Sequence, residues 1–541
     1  MIWSIWHRRS FVTNALGLSF VVAASAFAQQ GAPQQPVPSV SQASGSQAGI
    51  YSLQVNSQMV VLDVVVTDKQ GRIVTGLGKD DFHVFEDKAP QTILSLDQAE
   101  SHLPPADLSI DSTAELDKLE PDVPVNIIVL DEVNTKFEDE AFARYSIKKY
   151  LNSQTDTLAL PTMLVAVNLQ RFMVLRDYTR SKKEILYALD HHLATLPWQA
   201  KTKSWVAEQF NASFLSLQEV AQATAGHPGH KNMIWIGRGF PPINPEYLTP
   251  QANDELKVAI ENCTNLLRDA RVTLYTVDPA GIEVTPPDQD ENGFYEDDPF
   301  GGQVDFDAMA TATGGKSFFG RNDVDKLIET SARDGASFYT LAYKPSTAIQ
   351  DAKAFRNIRI AMKDPSLHAA TREGYYAHPP AVPPALDANG KSSRQLVLDL
   401  SVAGESLMVY DAVPITLLRD PAAPDNFQII LKTSDIAWQA EDSNRLSAAI
   451  SVFVESFDKK GKLLNRKGNI NTVGLPASAT PLLPAAPTLS MPVTLPTGPP
   501  AARLRFVVRV NSSGKIGAVN FFLVDPKTLA DPGTGLMPGR K

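Results

Sequence analysis

The chain has 541 residues, with 50 Lys and Arg against 60 Asp and Glu, a formal charge of −10, and one cysteine. An acidic balance argues against nucleic acid as a partner. A lone thiol excludes an internal disulfide framework, so cores must supply the stability, and the length calls for several domains.

Residues 1–28 read as a secretory signal peptide. His7, Arg8 and Arg9 precede an apolar run from Phe11 to Ala24, and Ala26-Phe27-Ala28 forms a small-x-small cleavage site. The run is shorter than the roughly 20 residues a membrane span needs, and no later segment reaches that length, so no integral span is expected in the mature chain. The leader holds two arginines and no acid, so its removal takes the charge from −10 to −12. The expected location is secreted, periplasmic or extracellular. Residues 29–50 carry almost no large apolar side chain and are expected to form a disordered linker.

A small β module is expected over 51–98. Val60, Leu62, Val64 and Val66 alternate ahead of an Asp68-Lys69-Gln70-Gly71 turn, with Phe82, Val84, Phe85, Ile93 and Leu94 in further strands. Residues 99–122 form a linker. From 123 to 378 short apolar strands (124–130, 162–168, 171–176, 232–237, 272–277, 316–319, 337–343) alternate with amphipathic helices (138–152, 181–195, 203–224, 249–270, 305–313, 323–335). A strand pair at 355–362 and 370–377 closes this part. Such alternation specifies an α/β doubly wound, Rossmann-like domain. Cys263 falls in the apolar pattern of Leu256, Ile260, Leu266 and Leu267, so it reads as core. Residues 390–530 return to β patterns, including a strand at 395–402, and read as a β-sandwich. The eight prolines between Pro476 and Pro500 predict an irregular excursion within it.

The strand at 124–130 runs apolar from Val125 to Leu130 and stops at Asp131, followed by Asn134 and Thr135. A strand buried on both faces delivers ligands at its carboxyl end, and these hard oxygens suit Mg²⁺ or Ca²⁺. The alternative use of Asp131 and Thr135 is to cap the next helix and tie the loop.

Several stretches occur together in order: VVLDVVVTDKQGRIVTGLGKDDFHVFED, VNIIVLDEVNT, LRDYT, KNMIWIGRGFP, RVTLYTVDPAG, ATGGKSFFGRND, SFYTLAYKP, FRNIRI and LRFVVRVNSSGKIGAV. This set resembles the bacterial secreted VWFA-related proteins, whose centre is a von Willebrand factor type A-like domain. The resemblance implies a metal-ion-dependent adhesion site built on an Asp-x-Ser-x-Ser loop, a second-loop threonine and a later aspartate. Asp131 matches the first position, Thr135 the fifth and Thr179 the second-loop threonine. Val133 stands where a hydroxyl is expected, and Gly237-Arg238-Gly239 where the aspartate is expected. The implied site is therefore degenerate, with Asp131, Thr135 and Thr179 as metal ligands and Mg²⁺ or Ca²⁺ as the ion. Asp131, Asn134 and Phe240 are the expected contacts to an unknown protein partner.

Other constellations carry less. Asp288, Asp290, Asn292 and Gly293 begin like a calcium loop, but Pro299 holds the closing position in this Asp288 to Asp298 segment. His227 and His230 have zinc-like spacing without a third ligand, and His191-His192 reads as solvent-facing. Gly314-Gly315-Lys316-Ser317 stands between a helix and a strand, the wrong order for a phosphate loop. No catalytic motif is visible, so the expected function is non-enzymatic protein interaction or adhesion. The alternatives are a secreted hydrolase or peptidase, or a structural envelope component without ligand.

Overall fold

The computed structural model describes residues 59–168, 172–194, 203–240, 249–281, 306–346, 355–376, 382, 385–386, 390–441, 444–476 and 488–524. The expected signal peptide, the 29–50 linker and the Asp288 to Asp298 segment lie outside these residues. No helix among the described residues is long and apolar enough to cross a membrane.

The chain enters through β1 (Val60–Thr67), β2 (Phe82–Glu86), β3 (Ala89–Gln91) and β4 (Ile93–Asp97), followed by α1 (Thr113–Leu119). The α/β part runs β5 (Val125–Asp131), α2 (Phe137–Ser153), β6 (Thr157–Val167), β7 (Phe172–Ser181), α3 (Lys182–His191) and α4 (Lys203–Ala223). It continues with β8 (Lys231–Ile236), α5 (Pro250–Asp269), β9 (Val272–Val277), α6 (Phe306–Ala312), β10 (Ser317–Phe318) and α7 (Val324–Ala336). Its sheet has the order β10-β9-β8-β5-β6-β7, parallel except for the antiparallel edge strand β7. That is the doubly wound order, with the topological switch between β5 and β8.

Alternation along the central strands explains the two-sided burial. Val125, Ile127 and Val129 of β5, with Met233 and Trp235 of β8, face a core shared with α4, α5 and α6. Ile128 and Leu130, with Ile234 and Ile236, face α2, α3 and α7. Each such side chain contributes roughly 1.5 to 3 kcal/mol by leaving water. Cys263 is buried beside Ile260 and Leu267, and burial pushes its thiol pKa up, as suits a core residue.

The strands β11 (Tyr339–Tyr343), β12 (Phe355–Met362), β13 (His368–Ala370) and β14 (Gly374–Tyr376) correct the sequence reading. None of them extends the parallel sheet. β11 lies between β1 and β4, and β12 between β14 and β2, in sheets ordered β13-β1-β11-β4 and β14-β12-β2-β3. The described part of the expected 51–98 module, 59–98, is therefore half of a unit completed by 339–376, with a joint core of Leu62, Val64, Phe82, Val84, Tyr339, Leu341, Tyr343 and Ile358. Short apolar strands carry no mark of which sheet will take them. Asp63, on the other face of β1, meets His230 at 2.9 Å and Arg271 at 2.6 Å, which joins this unit to the parallel sheet. Burial alone would raise the Asp63 pKa, but the Arg271 charge and the His230 bond outweigh it and hold the carboxyl well below its usual range.

The remainder begins with α8 (Arg394–Glu405), where a strand was expected at 395–402. Leu396, Asp399 and Ala403 are buried at helical spacing, Ser393 caps the first turn by accepting from Leu396 N, and Asp399 pairs with Arg509 at 2.8 Å. Then come β15 (Tyr410–Asp411), β16 (Thr416–Arg419), β17 (Asn426–Lys432), β18 (Gln439–Ala440), β19 (Arg445–Phe457), β20 (Leu463–Pro476), β21 (Thr488–Thr494), β22 (Arg503–Val510) and β23 (Ile516–Phe522). A three-stranded sheet, β16-β17-β21, packs on the larger sheet containing β19, β22 and β23 through Phe427, Ile429, Val452 and Phe506. Part of the proline-rich stretch is thus ordered strand: β21 holds Pro492 at the sheet edge, where its missing N–H costs no ladder bond.

The outer face of that larger sheet, with α8, packs on α4. Glu219 of α4 is buried there, its Oε1 without a protein partner. Burial raises its pKa from 4.5 to about 7 against the opposing effects of the Ser406 hydrogen bond and the Arg505 charge. A folded chain that keeps a proton the unfolded chain has released gains stability at low pH. That contribution is complete below about pH 4.5 and disappears as pH rises through 7. Glu219→Gln is therefore expected to remove about 3 kcal/mol of the pH dependence between those limits, read from urea midpoints across the range.

Candidate functional site

By register, Asp131 at the end of β5 stands level with Val167 of β6, and its neighbour Leu130 pairs with Ile236 of β8. Asp131, Asn134 and Thr135 are buried, and the first is only 1% exposed. The Asp131 carboxylate receives N–H groups from three directions. Oδ1 accepts from Val133 N at 3.1 Å and Asn134 N at 3.0 Å, and the Asn134 amide reaches both oxygens at 3.1 and 2.8 Å. Oδ2 also accepts from Trp235 Nε1 at 3.0 Å and Gly239 N at 2.9 Å. Burial raises the Asp131 pKa, and the bonds from Asn134, Trp235 and Val133 work against that rise.

The loop after β8 closes over this carboxylate because it is glycine. A Cβ on Gly237 would stand 2.3 Å from Asp131 Cβ and 2.8 Å from Thr135 Oγ1; one on Gly239 would stand 2.1 Å from the Phe306 ring. Both glycines have positive φ, 147° and 63°, which other residues adopt with strain. The Gly237-Arg238-Gly239 run thus closes the site instead of supplying a ligand to it.

The expected metal set does not fit this geometry. Thr179 pairs with Thr162, which pairs with Asn126, five residues along β5 from Asp131. At strand rise that separates Thr179 from Asp131 by about 17 Å, at the opposite edge of the sheet. Thr179 Oγ1 instead donates to Asp111 at 3.2 Å and accepts from Ser181 N at 3.0 Å. The Asp131 oxygens already face N–H donors, which a cation would have to displace. Asn134 Oδ1 and Thr135 Oγ1 are buried without protein partners, but neither brings charge. Nor does Asp131 or Thr135 cap a helix: α2 starts after Lys136 with no side-chain cap, and Glu138, Asp139 and Glu140 in its first turn complement the positive end of the helix dipole. Asp131 ties the loop and holds two strand ends together.

The expected partner contacts are also enclosed. Phe240 is 2% exposed, with its ring 4.8 Å from Phe210 and 5.2 Å from Phe306. Its place in a loop hid the aromatic cluster that covers it. Trp235 is core, with its indole N–H spent on Asp131.

His192 was expected at the surface and is buried, with Nε2 bonded to Glu132 Oε1; Arg144 donates to the His192 carbonyl at 2.9 Å. His227 and His230 diverge, the first to the Val123 carbonyl at 2.9 Å and the second to Asp63. Among the described residues no three His, Cys, Asp or Glu side chains gather as a metal group.

What remains open at this edge of the sheet was not singled out from sequence. Phe137 after β5, Phe319 after β10 and Leu193 after α3 are 71%, 69% and 86% exposed. Register puts the first two at the carboxyl edge of the parallel strands, and the His192–Glu132 bond puts Leu193 there. Arg238 and Asp278, paired at 3.3 Å, follow β8 and β9 on the same rim. An apolar residue opening a helix or ending a strand reads as core in sequence, and only the fold shows that it stands exposed among the described residues.

No protein family and no curated protein matches the sequence. Among solved structures the chain is similar to one titled "Crystal Structure of the SpRpn10 VWA domain", at 14% identity and a TM-score of 0.16. The match covers 29% of this chain and 89% of that one. At that score the likeness carries no argument, and the doubly wound fold rests on the strand order itself.

Proposed function

We propose that the chain is a secreted, non-enzymatic protein-interaction or adhesion protein of the type A-like kind, and that it meets its partner through the rim of loops at the carboxyl edge of the parallel sheet. The observation that carries this is the exposure of Phe137, Leu193 and Phe319 on one rim. Large apolar side chains are normal on surfaces singly, whereas several at the edge where doubly wound folds bind ligands favour a contact surface. Arg238 and Asp278 supply a polar border, as interface rims do. The closed carboxylate below is the support of that surface and takes no part in contact.

The test uses the whole purified chain, immobilised and exposed to envelope and extracellular fractions, beside a Phe137→Ser/Leu193→Ser/Phe319→Ser variant. The expected result is a captured protein whose retention drops at least about tenfold in the variant, with the melting temperature unchanged. Equal retention by both chains would contradict the reading. Turnover of a substrate that follows the Glu132–His192 pair would favour the hydrolase instead.

A further inference from the structure

β20 is fourteen residues long and pairs along its whole length with β19, from Arg445↔Pro476 to Phe457↔Leu463. Among the described residues no other strand pairs with it, so within them its second side is an unpaired sheet edge. Its side chains turn to the two faces of the sheet. Lys467 reaches the Thr494 carbonyl at 3.2 Å, and Asn471 lies against Met491, both on the smaller sheet. Arg466 turns the other way to Glu455 and Glu405. Gly468 and Gly474 bring no side chain of their own to the row; the Phe453 ring lies against the first and the Arg445 guanidinium against the second.

Long bare edges are usually guarded by charges spread along them. Here the charge is gathered at one end. Lys459, Lys460 and Lys462 of the β19–β20 turn are exposed, with Arg466 and Lys467 just beyond, whereas residues 468–476, GNINTVGLP, carry none. A chain of net charge −10 thus presents a lysine-rich tip, with Asp458 as its one acid, leading onto a stretch of strand that carries no charge of its own.

We infer that β20 is a strand-addition site for an extended acidic segment of a partner protein, whose backbone pairs with the open edge while its carboxylates meet the lysines of the β19–β20 turn. Main-chain pairing supplies the affinity in such contacts, and the lysines select the charge of the partner. A second copy of this chain is disfavoured as the occupant because it brings another basic tip.

The probe is a labelled peptide of four Thr-Val repeats flanked at both ends by three glutamates, titrated into the full chain by fluorescence anisotropy. Saturable binding is expected, with hydrogen-exchange protection added at 463–476. Binding should weaken about tenfold or more in Lys459→Glu/Lys460→Glu/Lys462→Glu and in about 0.5 M salt. These surface changes leave every buried contact in place. Absence of binding, protection elsewhere, equal affinity for the same peptide with lysines in place of glutamates, or self-association that protects β20 without peptide would each overturn the proposal. The rim residues are untouched in this experiment, so its outcome is separable from theirs.

Discussion

Asp131→Ala is expected to destabilise the chain by about 3 to 5 kcal/mol, measured as a fall in the urea midpoint. The substitution leaves the N–H groups of Val133, Asn134, Trp235 and Gly239, and the Asn134 amide, buried without their acceptor. Each orphaned donor keeps its desolvation cost, and the site is too tightly closed by Gly237 and Gly239 for bulk water to replace the carboxylate. Asp131→Asn keeps the volume but turns one acceptor into a donor, so a smaller loss of about 2 kcal/mol follows. The sign is diagnostic. A carboxylate held for a cation stores unneutralised charge, and its removal is neutral or stabilising, as at many functional sites. An Asp131→Ala chain as stable as the parent would therefore refute the structural role.

Glu86→Ala is expected to be as damaging, by about 3 to 5 kcal/mol, and to act on a different unit. Glu86 is 2% exposed and accepts from Arg356 at 2.6 Å, Tyr343 OH at 2.6 Å and Tyr375 OH at 3.1 Å. Burial and the adjacent carboxylate hold both phenols protonated, with Tyr375 pushed up to about 12. Removing the carboxylate takes the principal counter-charge from the buried Arg356 guanidinium and leaves Asp87, at 3.1 Å, as the other acid beside it. Because Glu86 ends β2 while its partners lie on β11, β12 and β14, the loss should free the 60–97 strands for proteolysis. Resistance of that segment to trypsin in the variant would show that it folds without 339–376.

The contrast between legible and illegible parts follows from which forces act locally. β5 and β8 were readable because burial on both faces demands an unbroken apolar run, and the helices between them because their faces repeat every three to four residues. β11 was readable as a strand but not as a member of a different sheet, since its partners β1 and β4 are more than 240 residues away in sequence. The 395–402 segment alternates in polarity, yet the Ser393 cap and the Asp399–Arg509 pair select a helix. At the candidate site, the oxygens of Asp131, Asn134 and Thr135 were visible while their direction was not. Two of the donors that consume Asp131, Trp235 and Gly239, come from about a hundred residues away. Thr179 matched a motif position but occupies the wrong end of an antiparallel strand, a fact of register that spacing does not encode.

The most direct test is calorimetric titration of the purified chain with Mg²⁺, Ca²⁺ and Mn²⁺, each to about 5 mM, a few-fold above the weakest dissociation constants of extracellular calcium modules. A carboxylate already filled by N–H donors predicts no binding heat and no rise in melting temperature with any of the three ions. Saturable heat that disappears in Asp131→Asn would contradict it and restore the metal site at the end of β5.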